Sequence, residues 1–421
     1  MSASAGPRED TNTVVVGAGQ AGLATSYWLA QRGVEHRILE QRPALGGAWQ
    51  DRWDSFYLNT PNFSVALPGS PYTGTDPDGF LTKEATIGYF RGYASDIHAP
   101  VQLHTEVTRI TPTEAGFAVR TSQGTWAARN VVLASGAFQR PRIPAAAVGI
   151  SPEVLQLHSH DYRAPDQLPE GAVLVVGTGQ SGGQIAEDLL DAGRTVHLSV
   201  SSCPEAPRRY RGQDIFHWIM EVNVHGPDYG INALLVDQLP SPAGRFMCNP
   251  LLSGTGGGHS VRLRGLGRRG VRLHGRFEGV DDGVPVFTDD LAQRLAAAEA
   301  GFSQRFKKLF DAYIDAAGID APDAEAAEPD SWQPTGSASR LDLSEEGITS
   351  IIWSTGYALD FSMLDLPLLD AWSYPRHSKG VTEHPGLYAV GLPWLTRHIS
   401  ATLVGVGPDA EYVTEHLAAR G

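Results

Sequence analysis

Gly17-Ala18-Gly19-Gln20-Ala21-Gly22 and Gly177-Thr178-Gly179-Gln180-Ser181-Gly182 repeat one G-x-G-x-x-G pattern within a single chain. The chemistry this pattern serves is the close approach of a pyrophosphate to backbone N–H groups at a helix N-terminus, where the helix dipole favours negative charge and a Cβ would obstruct. Each copy comes after an apolar run, Thr13-Val14-Val15-Val16 and Ala172-Val173-Leu174-Val175-Val176. One such motif is weak evidence; two, each with its strand before it and a helix after it, imply two dinucleotide sites. The two copies lead into different residues. After the first, Glu40 and Gln41 end the segment beginning at Arg37, and a carboxylate at that distance accepts hydrogen bonds from a ribose diol while repelling a 2′-phosphate. The first site should therefore hold FAD or NAD. After the second, Thr195 to Val200 ends in Ser201 and Ser202 with no acid, and Arg208-Arg209-Tyr210-Arg211 comes soon after. Guanidinium groups bind phosphate with charge-assisted, bidentate bonds, which favours NADP(H) over NAD(H) there; a solvated basic loop is the alternative.

These loops need elements to hold them. Helical spacing over Leu23 to Arg32 and Ile185 to Ala192, closed by Gly33 and Gly193, supplies the helix of each unit. The fold class read from this is α/β with two Rossmann-like dinucleotide-binding domains. Residues 1–12 read as a flexible tail, 13–144 as the first part of the first dinucleotide-binding domain, 145–318 as the second dinucleotide-binding domain, and 319–421 as the return to the first. Within the first part, Lys83 to His98 reads as a helix, and Val101 onward, Gly116 to Thr121 and Gly124 to Ala128 as a small antiparallel insertion. Asn130 to Gly136 returns as a buried strand. The proline-broken Gln139 to Pro144 is the expected interdomain crossing. Residues 214–283 read as irregular, with Ser253 to Gly258 flexible and either a lid or a surface insertion. Asp289 to Ala317 has the pattern of one long amphipathic helix, and Ile319 to Pro329 that of a solvated linker. Gly347 to Tyr357 and Gly386 to Gly391 read as strands ending in glycine, and Gly405 to Ala410 leads into the last helix with Asp409 near its start.

Composition narrows the functions available. The 421 residues carry a formal net charge of −14, which disfavours nonspecific binding to nucleic acid or anionic membranes. No apolar run reaches membrane-spanning length and the first dozen residues lack a signal pattern, so a cytoplasmic protein is expected. Cys203 and Cys248 form no C-x-x-C, which argues against a disulfide scaffold, a zinc site or a dithiol relay and leaves buried free thiols. No metal-ligand spacing and no G-x-S-x-G elbow occur, so no metal and no serine hydrolysis are expected. Trp49, Trp53, Phe56 and Tyr57 could wall a pocket or fill a core.

The set Gly17 to Gly22, Glu40, Gly46-Gly47-Ala48-Trp49, Leu58-Asn59-Thr60-Pro61, Ala134-Ser135-Gly136, Leu157-His158-Ser159, Gly177 to Gly182 and Ser354-Thr355-Gly356-Tyr357 resembles, in order, the class B flavin-dependent monooxygenases. That family includes the N- and S-oxygenating, Baeyer–Villiger and YUCCA-type enzymes. The family's F-x-G-x-x-x-H keeps His158 and a later aromatic, Tyr162, but has lost its Phe and Gly here. N- or S-oxygenation is thus expected ahead of Baeyer–Villiger chemistry. The resemblance implies a glutathione-reductase-like pair of domains, FAD in the first site and NADPH in the second. It also implies a cycle in which reduced flavin and O2 give a C4a-(hydro)peroxide that passes one oxygen atom to a small molecule. The flavin ring would lie near Trp49, Asn59, Thr60 and the loop from Leu392 to Thr402, with the start of the last helix, Gly407 to Ala410, near its pyrimidine oxygen. Further cofactor contacts are expected from Gly47, Arg52, Val107, Ser135, Gly136, Leu403, Thr355 and Gly356. Asn59 and His158 are the expected catalytic residues, against a turn-forming Asn and a surface His as ordinary explanations. The fingerprints report binding and not the fate of oxygen. A reductase or NADPH oxidase without oxygen insertion, and a nucleotide sensor that turns nothing over, are the alternatives; a homodimer is an open arrangement.

Overall fold

Val14, Val15, Val131 and Val132 have no solvent exposure, and neither do Val173, Leu174 and Val175 of the second unit. Such unbroken apolar runs suit strands covered on both faces, as parallel sheets require. The computed structural model describes residues 8–325, 330–334 and 338–420, and these strands centre its two sheets. In the first, Arg8–Val16 lies between His36–Leu39 and Gly124–Leu133, all parallel, with Val14 opposite Arg37 and Val131. Leu387–Ala389 adds parallel to the far side of Gly124–Leu133. Of the expected antiparallel insertion, Val101–Gln102 pairs instead in parallel with His36–Leu39 at the sheet's edge, and the hairpin is Val107–Thr113 paired with Gly116–Thr121, paired in turn with Gly124–Leu133. Its last strand runs on unbroken into the parallel sheet, joining two segments that the sequence separates at Arg129. Helix Lys83–Asp96 starts at Thr82, whose side chain accepts from the Ala85 N–H.

The second sheet is parallel throughout, in the order Leu155–His158, Ile348–Trp353, Ala172–Val176, Val196–Ser199, Arg272–His274. Two assignments made from sequence change. Ile348–Trp353, placed with the return to the first domain, is an inner strand of the second domain, where Ile351, Ile352 and Trp353 are completely buried. Arg272–His274, placed in the irregular insertion, is this sheet's edge. The return to the first domain therefore begins after Trp353. The first strand likewise starts at Arg8, inside the expected tail; residues 1–7 lie outside the described residues, as does part of the expected linker.

The long helix expected over Asp289 to Ala317 is two helices, Leu291–Phe302 and Lys308–Ala317, joined through a π-helical turn at Ser303–Lys307. The glycine-rich Ser253–Gly258 is not a free flap. A Cβ on Gly254 would lie 1.9 Å from the Leu58 carbonyl oxygen, and one on Gly258 would strike the Phe80 ring, so the glycines permit this segment to press on the first domain beside Asn59. No described helix is long and apolar enough to cross a membrane.

Folding also buries histidines. His36, His158, His197 and His274 are 0 to 6% exposed, and burial lowers the pKa of each, for His197 to about 3. The unfolded chain then binds more protons than the folded one below the ordinary value of 6.5, so stability falls with acidification through that window and is recovered above it. Each such histidine steepens the fall by up to about 1.4 kcal/mol per pH unit. Thermal unfolding between about pH 7 and about pH 5 should show a steadily declining midpoint; a flat profile would contradict this account.

Candidate functional site

The two glycine loops share their constraints. A Cβ on Gly17 would meet the Ala134 carbonyl oxygen at 2.9 Å and one on Gly177 the Ser354 carbonyl oxygen at 2.6 Å. On Gly22 and Gly182 it would lie 1.9 Å from the carbonyl oxygens of Gly17 and Gly177. Those four glycines are required by the protein's own packing. The middle ones are not: nothing lies within 4 Å of a Cβ on Gly19, and only the Cys248 sulfur, at 3.8 Å, near one on Gly179. Each middle glycine is the N-cap of a twelve-residue helix, Gln20–Gln31 or Gln180–Asp191, with no side-chain cap and no acid in the first turn. Uncapped helix N–H groups facing open space are what a pyrophosphate needs. Of the flanking residues, Ala21 is buried in the core, while the side chain of Gln20 donates to the Ala401 carbonyl at 3.1 Å and that of Gln180 to Pro250.

The strand ends distinguish the sites. Glu40 is 6% exposed, and its carboxylate accepts from the Ala18 N–H at 2.8 Å and the Arg42 N–H at 2.9 Å. It is thereby held against the first loop with lone pairs to spare for ribose hydroxyls. Gln41 beside it is exposed. In the second unit a hydroxyl stands in the corresponding place. Ser201 Oγ accepts from the Thr178 N–H at 3.3 Å and lies 3.1 Å from Thr178 Oγ1, so no carboxylate opposes a phosphate there.

Arg208 departs from its expected role. Rather than facing solvent beside Ser201, it is buried, paired to Asp214 at 2.6 Å, stacked over Phe80, and donating to the Asn59 carbonyl at 2.9 Å. Its bonds are committed to joining the second domain to the first. Arg211 is similarly engaged with Asp311 and the Pro322 carbonyl. Arg209 is exposed, and of the three it is the one with a free guanidinium.

Beside the first loop lies an aromatic cluster around one cation. Gly47, with φ of 52°, brings the helical turn Gly47–Asp51 onto Gly19, and the Arg42–Asp51 ion pair at 2.8 Å anchors that turn. Arg52 then lies over the rings of Trp49, Phe56 and Phe138, 4.9 to 5.9 Å from their centres, with its Nε unpartnered and the Tyr357 hydroxyl as neighbour. Burial lowers its pKa, partly offset by Tyr357 and Asp51. Trp53 and Phe56 are buried in the adjoining core.

His158 is 1% exposed, so it is not a surface histidine. Its Nδ1 accepts from the His160 N–H and its Nε2 lies 3.0 Å from the Gly356 carbonyl, which fixes the neutral tautomer with the proton on Nε2. Both nitrogens are thus engaged. The ring also packs edge-on against Tyr357, 5.0 Å away. Asn59 and Thr60 are part-exposed, and no partner among the described residues engages either side chain. Thr355 bonds the Arg142 carbonyl, and Ser135 accepts from Gln139 at 2.7 Å beside Gly136, whose carbonyl takes the same amide. The side chains of Val107 and Leu403 are packed in hydrophobic clusters, leaving only their backbones for a ligand. Asp409 is 4% exposed in the first turn of the last helix; it accepts from Thr396 Oγ1 at 2.6 Å, its second oxygen has no partner, and burial raises its pKa.

Sequence reading missed Asp188, which accepts from Tyr162 within the second domain and from Ser55 across the domain junction, and Arg163, which donates to the Asp51 carbonyl. Both act through partners more than a hundred positions away or in another element, and no local spacing signals them. Among the described residues no cluster of three or more His, Cys, Asp or Glu could hold a metal.

The family described as pyridine nucleotide-disulphide oxidoreductase matches residues 14–219. An uncharacterized CzcO-like oxidoreductase from Geobacillus kaustophilus is 32% identical over 404 residues, covering 96% of this chain and 97% of its own. The probable indole-3-pyruvate monooxygenase YUCCA4 of Arabidopsis thaliana is 30% identical over 210 residues, 48% of this chain and 50% of its own. Among solved structures, a flavin monooxygenase variant from Stenotrophomonas maltophilia aligns over 98% of this chain and 99% of its own, with TM-score 0.66 and 19% identity. That last likeness concerns the fold.

Proposed function

The chain belongs to the class B flavin-dependent monooxygenase family, akin over nearly its whole length to a CzcO-like oxidoreductase, and on that premise we propose that it uses FAD and NADPH to add one oxygen atom of O2 to a small molecule. An amine nitrogen or a sulfur is the target, ahead of a ketone. The observation that carries this reading is the pair of uncapped, unobstructed helix N-termini at Gly19 and Gly179, one beside a buried carboxylate and the other beside a hydroxyl. Glu40 would take the FAD ribose and the Gly17–Gly22 loop its pyrophosphate. The second loop, Ser201 and Arg209 would take NADPH. When bound, the flavin supplies the hydride acceptance and oxygen activation that no side chain here offers.

What the chain itself contributes is placement and dryness. Trp49, the buried Phe56 and the half-exposed Phe138 lay aromatic rings against the part-buried Arg52 guanidinium, whose fixed positive charge acts more strongly on a neighbouring anion there than it would in open water. Neutral His158 holds the Gly356 carbonyl and the Tyr357 ring at the domain junction; it is a positioning residue, since neither nitrogen is free for proton transfer. Asn59 presents an unengaged amide at a backbone fixed by Arg208, and would be available as a hydrogen-bond donor to a bound flavin.

The test is to purify the protein, follow its absorbance on adding NADPH, and supply a panel of tertiary amines and thioethers under isotopically heavy O2. A yellow protein that yields product carrying one heavy oxygen per NADPH consumed supports the reading. Hydrogen peroxide formed in step with NADPH whatever the substrate makes it an oxidase, and a colourless protein removes the flavin premise.

A further inference from the structure

Two thiols far apart in sequence meet at the second glycine loop. Cys203 lies two residues beyond Ser201 and is 1% exposed; its sulfur donates to the Asn249 carbonyl at 3.3 Å, one residue from Cys248, and lies beside the Cys248 sulfur. Cys248 is part-exposed, with its sulfur 3.8 Å from the position of a Cβ on Gly179. The backbone on both sides is already fastened. Gln180, the first residue of the second nucleotide helix, donates to the Pro250 carbonyl and accepts from the Leu252 N–H, while the Leu251 N–H bonds the Pro204 carbonyl at 2.9 Å. Arg305, in the π-helical turn, donates to the Cys248 carbonyl at 3.4 Å and places its charge toward both sulfurs. A π-turn of this kind frequently marks a functional position.

The chemistry of the pair is asymmetric. The neighbouring Cys203 sulfur and the charge of Arg305 lower the Cys248 pKa against the effect of burial, whereas the Cys248 sulfur and burial raise Cys203 well above the usual thiol range. The exposed member is therefore the better nucleophile and the buried one the natural resolving thiol.

We propose that Cys203 and Cys248 are a peroxide-oxidised dithiol that forms a disulfide and thereby weakens nucleotide binding at the Gly179 loop. In the first step the Cys248 thiolate attacks hydrogen peroxide: an S–O bond forms, the O–O bond breaks, and hydroxide leaves with a proton as water, giving a sulfenic acid. Cys203 sulfur then attacks that sulfur, the S–S bond forms, the S–O bond breaks, and the thiol proton departs in a second water. One peroxide is reduced by two electrons and two thiols are oxidised; an external dithiol, itself oxidised to a disulfide, restores them. Joining the sulfurs draws Cys248 toward Cys203 and away from Gly179, and through Gln180 that movement reaches the helix start where phosphate binds. The nucleotide effect rests on the functional reading of the second loop; the disulfide does not.

The experiment treats the full-length protein with a small excess of hydrogen peroxide, maps its peptides by mass spectrometry, and measures NADPH binding by calorimetry before oxidation, after it, and after re-reduction. The expected result is one linkage between the peptides holding Cys203 and Cys248, with NADPH affinity reduced about tenfold and recovered on reduction. In Cys203→Ser, Cys248 should instead be trapped as its sulfenic acid by a dimedone-type reagent; in Cys248→Ser, Cys203 should stay unmodified. Two free thiols after treatment, or direct passage of Cys248 to sulfinic acid in the unaltered protein, overturns the pairing. A mapped disulfide with unchanged NADPH affinity overturns the coupling. Failure of the functional reading would look different: the reduced protein would bind no NADPH while the disulfide still formed.

Discussion

Gly19→Ala is expected to yield a folded protein that purifies without colour. The residue sits at φ −77° and ψ −170°, extended backbone open to any side chain, and its Cβ would touch nothing in the protein. Alanine there also reduces the freedom of the unfolded chain, worth about 0.4–1 kcal/mol in favour of folding. The methyl group instead enters the space in front of the helix N–H groups, where a pyrophosphate must pass. FAD affinity should fall at least about a hundredfold, some 2.7 kcal/mol, while the thermal midpoint of the flavin-free protein stays the same or rises slightly. Gly179→Ala separates the two sites: φ of −69° again suits alanine, the Cys248 sulfur at 3.8 Å is in ordinary contact, and the variant should remain yellow yet need about a hundredfold more NADPH for reduction. Gly22→Ala is the contrast, because its Cβ would lie 1.9 Å from the Gly17 carbonyl oxygen and the loop itself must break. Absorbance, calorimetry and thermal unfolding on the three proteins check all of this. Full FAD affinity in Gly19→Ala would mean that the open space at the first loop serves something other than a dinucleotide.

These glycines were legible because their demands are local. The turn after a strand, the close helix–strand approach and the acid at the next strand's end all fall within about 30 residues, the reach of one βαβ unit. Glu40 was readable for that reason, as was the absence of an acid near Ser201. Ile348–Trp353 was not placed correctly, although its burial is evident from its residues, because strand order is decided by long-range pairing. An apolar hexapeptide fits either parallel sheet, and only its register against Leu155–His158 and Ala172–Val176 settles which. The same limit concealed Arg272–His274, a three-residue edge strand in a stretch with no sustained periodicity. Ser253–Gly258 shows a different limit. Glycine signals freedom when read alone, yet Gly254 is needed here for a close approach to Leu58, and composition does not distinguish the two uses. His158 is buried with both ring nitrogens engaged, which the polar residues around it in sequence do not signal.

Arg208 and Arg209 are adjacent and alike in sequence, and their variants should behave in opposite ways. Arg208→Ala removes the partner of Asp214, whose side chain is 8% exposed, and leaves a buried carboxylate that Arg208 had kept from the full cost of burial. Breaking such a pair typically costs about 3–5 kcal/mol, much of it from the charge left behind. The preference for NADPH over NADH should not change in the protein that survives, because the guanidinium is turned toward Asn59 and Phe80 and not toward Ser201. Arg209→Ala, at an exposed position, should alter stability by no more than about 0.5 kcal/mol. It should raise the KM for NADPH while leaving that for NADH in place, if the free guanidinium meets the ribose phosphate. Arg208→Met combined with Asp214→Leu separates pairing from mere packing: with both charges gone the penalty of the orphaned carboxylate disappears, and much of the stability lost in Arg208→Ala should return. The double variant should nonetheless turn over poorly, since the bond from Arg208 to the Asn59 carbonyl is still missing and Asn59 loses its anchor to the second domain. Thermal unfolding with paired NADPH and NADH kinetics on the three variants and the unaltered protein decides it. A loss of NADPH preference in Arg208→Ala at normal stability would return that residue to the phosphate-binding role its sequence suggests.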